Sequence, residues 1–127
     1  MTAAILTLSA HTPAEIRIAR ATLMRELHGW ECGNVPDAVL VFSELVTNAV
    51  LHAGGATAVK IVHGEQTLRV EVRDAAPSGP ERRPPPQDRP GGFGLNIVTT
   101  LARSWGWEPT GDGKVVWADI PCCPDEA

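Results

Sequence analysis

NVPDAVLVFSELVTNAVLHAGG, residues 34–55, is the stretch that decides how this chain folds. It reads as one helix that begins near Asn34 or Pro36 and runs to Ala53, where Gly54-Gly55 stops it. Val39, Leu40, Val41, Phe42, Leu45, Val46, Val50 and Leu51 leave it almost no solvated face. A helix that is apolar nearly all round belongs at the centre of a fold. Yet Glu44, Asn48 and His52 recur at intervals of four along it and share one stripe. Burying an unpaired amide costs on the order of 2 to 7 kcal/mol, so that stripe needs something polar to face it.

Working outward, residues 5–10 read as a short strand, and Thr12-Pro13 supplies an N-cap and a first-turn proline for a second helix. That helix covers residues 14–30, with Ile16, Ile18, Ala19, Leu23, Met24 and Leu27 apolar and Arg17, Arg20 and Arg25 between them. Beyond the central helix, residues 57–63 and 67–73 alternate and are rich in β-branched side chains. With Gly64-Glu65-Gln66 between them they form a hairpin pattern. Residues 74–92 show no periodicity and carry six prolines, Pro77, Pro80, Pro84, Pro85, Pro86 and Pro90, which exclude regular structure. So long a loop in a compact domain serves as a lid or binding loop, or is disordered. Helical periodicity returns over residues 93–103, and strands at 105–108 and 115–120 close the chain around the turn at 110–113. This order predicts an α+β fold with helices stacked on one face of a mainly antiparallel sheet.

A chain of 127 residues fits one domain with one core. The expected organisation is a domain over residues 1–120 with a lid loop at 75–92 and a short tail at 121–127. Apolar residues at 43% and charged residues at 20% match soluble globular proteins. A net charge of -4 argues against direct nucleic-acid binding and favours a protein or small-molecule partner. The N-terminus has no basic segment followed by an apolar one, and no run of 18 apolar residues occurs, so the expectation is a cytoplasmic protein without membrane contact. Cys32, Cys122 and Cys123 form neither a ligand pair nor a disulfide framework.

Three groups of residues bear chemistry. The Asn48 amide oxygen suits Mg2+, a hard cation that keeps waters and takes other oxygens from phosphates. Glu44, one turn earlier, is placed to orient a hydroxyl or water or to take its proton. A structural reading of the same stripe pairs Glu44 and His52 with arginines and Asn48 with a loop carbonyl; His52 also suits the helix dipole. Asp74, closing a strand, can accept the exocyclic amine of adenine in a bond worth roughly 1.5 to 3 kcal/mol, or can serve as a turn former. Gly91-Gly92-Phe93-Gly94-Leu95 opens the last helix, where glycines and free amides admit phosphate oxygens. It is neither a P-loop nor a Rossmann turn.

Residues 44–52 (ELVTNAVLH), Asp74 with its proline-rich sequel, and Gly92-Phe93-Gly94-Leu95 together resemble the three boxes of the ATPase superfamily shared by gyrase, the heat-shock chaperone, histidine kinases and a mismatch-repair protein. Within it the chain resembles the branch of small anti-sigma-factor serine/threonine kinases, and Trp105-Gly106-Trp107 and residues 113–117 (GKVVW) extend the likeness over nearly the whole chain. The resemblance implies a Bergerat-type two-layer α/β sandwich with helices on one face of a mixed, mainly antiparallel sheet. It implies ATP and Mg2+ as cofactors, Glu44 as the catalytic base, Asn48 as the metal ligand and Asp74 as the adenine reader. His52, Gly79, Gly92, Phe93, Gly94 and Leu95 would complete the ATP-binding set.

The implied activity is phosphorylation of a serine or threonine on an anti-sigma factor antagonist, combined with binding of a sigma factor. A homodimer is compatible with the same resemblance. The first helix, with Arg17, Arg20 and Arg25, would be the contact surface, although a solvated helix face accounts for it equally. Two positions depart from the family: a polar residue is common at Phe93, and at Val115 a threonine whose hydroxyl would assist Asp74. Glu81, Arg82, Arg83, Asp88 and Arg89 give the lid mixed charge. A non-catalytic ATP-binding switch is the alternative function, though retention of Glu44 favours catalysis. A detached catalytic half of a histidine kinase would need a dimerising helical hairpin with a phosphoacceptor histidine, which the chain lacks.

Overall fold

The computed structural model describes residues 4–30, 33–64, 66–76 and 94–121, with the backbone alone at 4, 5, 52, 53, 57, 94 and 95. The lid prolines, Gly79, Gly92, Phe93 and all three cysteines lie outside the described residues.

Eight elements follow one another: β1 (Ala4–Ala10), α1 (Pro13–Gly29), α2 (Val35–Ala53), β2 (Ala56–His63), β3 (Thr67–Asp74), α3 (Gly94–Leu101), β4 (Ser104–Thr110) and β5 (Gly113–Pro121). Thr12 caps α1 as its composition predicts, its hydroxyl accepting from the Glu15 N–H at 3.2 Å. α2 stops at Gly54, whose φ of 77° is the left-handed conformation that glycine adopts without strain. At its other end the Asn34 side chain donates to the Pro121 carbonyl at 2.8 Å, which ties the start of α2 to the end of β5.

The five strands form one sheet in the order β1-β2-β3-β5-β4, and all four pairings are antiparallel. The sequence shows the two hairpins but not that β5 inserts between β3 and β4, a pairing between strands far apart in the chain. Alternation sorts the side chains. Leu68, Val70 and Val72 on β3 and Val116, Ala118 and Ile120 on β5 are buried on one face, with Arg69, Glu71, Trp117 and Asp119 on the other. α2 packs over β2, β3 and β5 and lies between α1 and α3, so it is the helix of the core. Phe42, Val41, Val46 and Ala38 are fully enclosed, whereas Leu40 and Leu51 remain exposed. The chain therefore builds the expected α+β arrangement: helices on one face of an antiparallel sheet, the other face uncovered by any described element.

Candidate functional site

Glu44 and Asn48 lie side by side on α2, one turn apart, flanking the buried row Val41, Leu45 and Ala49. Both are partly buried, and neither side chain takes a hydrogen bond or ion pair among the described residues. Among the described residues, therefore, no arginine bond and no loop carbonyl saturates the pair, as the structural alternative would require. Burial pushes the Glu44 carboxyl above its ordinary value, and the positive charge of Arg20 opposes that push. Arg20 is held in place from α1: its Nε donates to Ser43 Oγ at 2.9 Å, and Ser43 Oγ donates to the Val39 carbonyl at 2.7 Å. Of the three arginines expected to point outward from α1, Arg20 is therefore turned toward α2. A carboxylate that holds its proton more tightly is also the stronger base once ionised.

His52 falls on α2 by its backbone, at the position expected, and its side chain lies outside the described residues. Gly94 and Leu95 open α3 in the same way.

Asp74 ends β3 on the helix-covered face, following Leu68, Val70 and Val72 in the alternation, and is 5% exposed. Its rung partner is Lys114 on β5. Lys114 Nζ donates to Asp74 Oδ1 at 2.9 Å, and the same oxygen accepts from the Ala76 N–H at 2.9 Å. The inward face of the sheet thus changes from aliphatic to charged at its last rung. Gly113 is required beside it, because a Cβ there would overlap the Asp74 carbonyl oxygen and crowd the Ala75 backbone.

This arrangement corrects the expectation for Val115. Val115 pairs with Arg73 rather than with Asp74 and stands on the other face of the sheet, so a hydroxyl at that position would not reach the Asp74 carboxylate. The polar partner of Asp74 is Lys114, which sequence reasoning passed over. Its parity with Val116, Ala118 and Ile120 is the signal that would have placed it inward.

The donor set fits Mg-ATP. One margin of α2 offers an amide oxygen and a carboxylate that have no hydrogen-bonding partner among the described residues, and the sheet below offers a second carboxylate as acceptor for an amine. Among the described residues no cluster of three or more His, Cys, Asp or Glu could hold a metal ion by itself. A cation at Asn48 would accordingly draw on water and ligand oxygens, which is how Mg2+ is ordinarily held. No helix among the described residues is long and apolar enough to cross a membrane.

Comparison with known proteins adds one finding to this geometry. A family model described as the histidine kinase-like ATPase domain matches residues 9–120, which span α1 to β5 and every described site residue. None of the curated proteins matches the chain.

Proposed function

The chain belongs to the histidine kinase-like ATPase domain family, and from that premise we propose that it is a regulatory protein serine/threonine kinase that binds Mg-ATP and phosphorylates an anti-sigma factor antagonist. The observation that carries the reading is the pair Glu44 and Asn48, partly buried and without a hydrogen-bonding partner among the described residues on the central helix, above a sheet whose buried face ends in Asp74. Nothing in core packing asks for those two polar groups, since leaving them half-desolvated without partners weakens the fold.

Each residue has one task in this reading. Asp74 accepts the exocyclic amine of the base. The Asn48 amide oxygen holds the cation. Glu44 receives the proton of the incoming serine or threonine hydroxyl, its basicity raised by burial and moderated by Arg20. When bound, Mg-ATP supplies the phosphoryl group and the charge neutralisation that its transfer requires. His52, Gly79, Gly92, Phe93, Gly94 and Leu95 are proposed to complete the ATP-binding set. Binding of a sigma factor, which would make the protein an anti-sigma factor, is proposed on the family likeness, as are cytoplasmic location and a homodimer.

Calorimetric titration of ATP with Mg2+ into wild type and Asn48→Ala, followed by transfer from γ-labelled ATP to a candidate antagonist by wild type and Glu44→Ala, tests the proposal. Magnesium-dependent binding lost in Asn48→Ala and transfer lost in Glu44→Ala are the expected results. Binding without transfer to any antagonist would favour the non-catalytic switch. A folded wild type that binds no ATP would overturn the reading.

A further inference from the structure

Asp74 and Lys114 are the only pair of opposite charges among the described residues in which both members are buried, with side chains 3% and 7% exposed. A buried ion pair is a poor device for stability, because desolvating both ions offsets most of their attraction. Its hydrogen bonding is also incomplete. Asp74 uses Oδ1 for both of its bonds, to Lys114 Nζ and to the Ala76 N–H. Lys114 reaches Asp74 Oδ1 and, at 3.4 Å, the Ala76 carbonyl, which leaves one ammonium proton over. Asp74 Oδ2 and that third proton have no partner among the described residues. The two charges therefore present an acceptor and a donor side by side, on the last rung of β3 and β5.

We propose that Lys114 is a second base-reading residue, donating its free proton to N1 of the adenine whose exocyclic amine Asp74 accepts. The proposal rests on the nucleotide-binding reading given above and extends it to specificity. Along the edge of adenine an amine donor neighbours a ring-nitrogen acceptor, which complements a carboxylate next to an ammonium. Guanine held in the same pose sets its carbonyl oxygen against the carboxylate and its N1–H against the ammonium. Both contacts are repulsive, and rejection by mismatched polar groups is far stronger than rejection by shape.

The test compares ATP with 1-deaza-ATP, in which N1 is replaced by C–H, by calorimetry on wild type and Lys114→Met. Wild type is expected to bind 1-deaza-ATP about 10- to 100-fold more weakly than ATP, the range for a hydrogen bond to a charged group. Lys114→Met should bind both with equal, reduced affinity, whereas a merely structural lysine would leave the ratio between them at its wild-type value. The wild-type comparison stands even if the variant fails to fold. Equal affinity of wild type for the two nucleotides, or GTP binding as tight as ATP, overturns the role of Lys114 while leaving ATP binding intact. Absence of any ATP binding overturns the nucleotide reading itself.

Discussion

Removing the Lys114 ammonium should be among the most damaging single changes available in the described part of this fold. Two unit charges 2.9 Å apart attract by roughly 5 to 6 kcal/mol at an effective dielectric of about 20, and desolvation of both ions offsets most of that. Lys114→Met leaves the penalty on Asp74 with nothing to balance it except the Ala76 N–H. The expected loss is about 3 kcal/mol, toward the low end for a broken buried pair because that one bond survives. In urea unfolding this lowers the midpoint by roughly 1 to 2 M with the slope unchanged. The double variant Asp74→Leu/Lys114→Met removes both charges and should recover to within about 1 kcal/mol of wild type, as apolar replacements of buried pairs do. A Lys114→Met midpoint within about 0.3 M of wild type, or a double variant no more stable than the single, would show that the pair is solvated and that the reasoning fails.

Glu44→Gln should abolish phosphoryl transfer while raising stability slightly near neutral pH. A carboxyl raised by burial favours its neutral form in the fold, so its stabilising contribution is present below the unfolded value and lost as pH climbs through the raised one. The gain is less than about 1 kcal/mol because the group is partly solvated, and thermal melts at two pH values check it. For the same reason the acid limb of a transfer pH profile should lie above the ordinary carboxylate range. Arg20→Met, by removing the opposing charge, should move that limb to still higher pH; an unmoved limb would sever Arg20 from Glu44. Gly113→Ala should cost about 1 to 3 kcal/mol in denaturant unfolding, since its Cβ meets backbone rather than a side chain that can swing away. On the open face, Arg69 clasps Asp119 through two bonds of 2.7 and 2.8 Å and lies 4.5 Å over the Trp117 ring. Arg69→Ala should cost about 1 kcal/mol there, and no effect on the melt would mean that water screens the whole cluster.

Residues 34–55 carried the central helix by themselves, because an all-round apolar pattern ending in a glycine pair leaves few other structures open. Thr12-Pro13 did the same for α1, and strict alternation did so for β2 and β3. Glu44, Asn48 and Asp74 were legible too, since a polar stripe on an apolar helix and a carboxylate at a strand end are local signals. Lys114 was legible only in part, because its parity with Val116, Ala118 and Ile120 turns it inward without saying which residue it meets there. Arg20 likewise read as an outward charge until the packing of α1 on α2 turned it to Ser43. The sequence by itself determined which segments are helix and strand and which polar residues needed explaining, because period and capping act within a few residues. Only the tertiary structure decided that β5 lies against β3, that Val115 faces away from Asp74, and that Lys114 meets it. Those facts depend on register between strands some 40 residues apart in the chain, and a shift of one residue would exchange every side chain between the two faces.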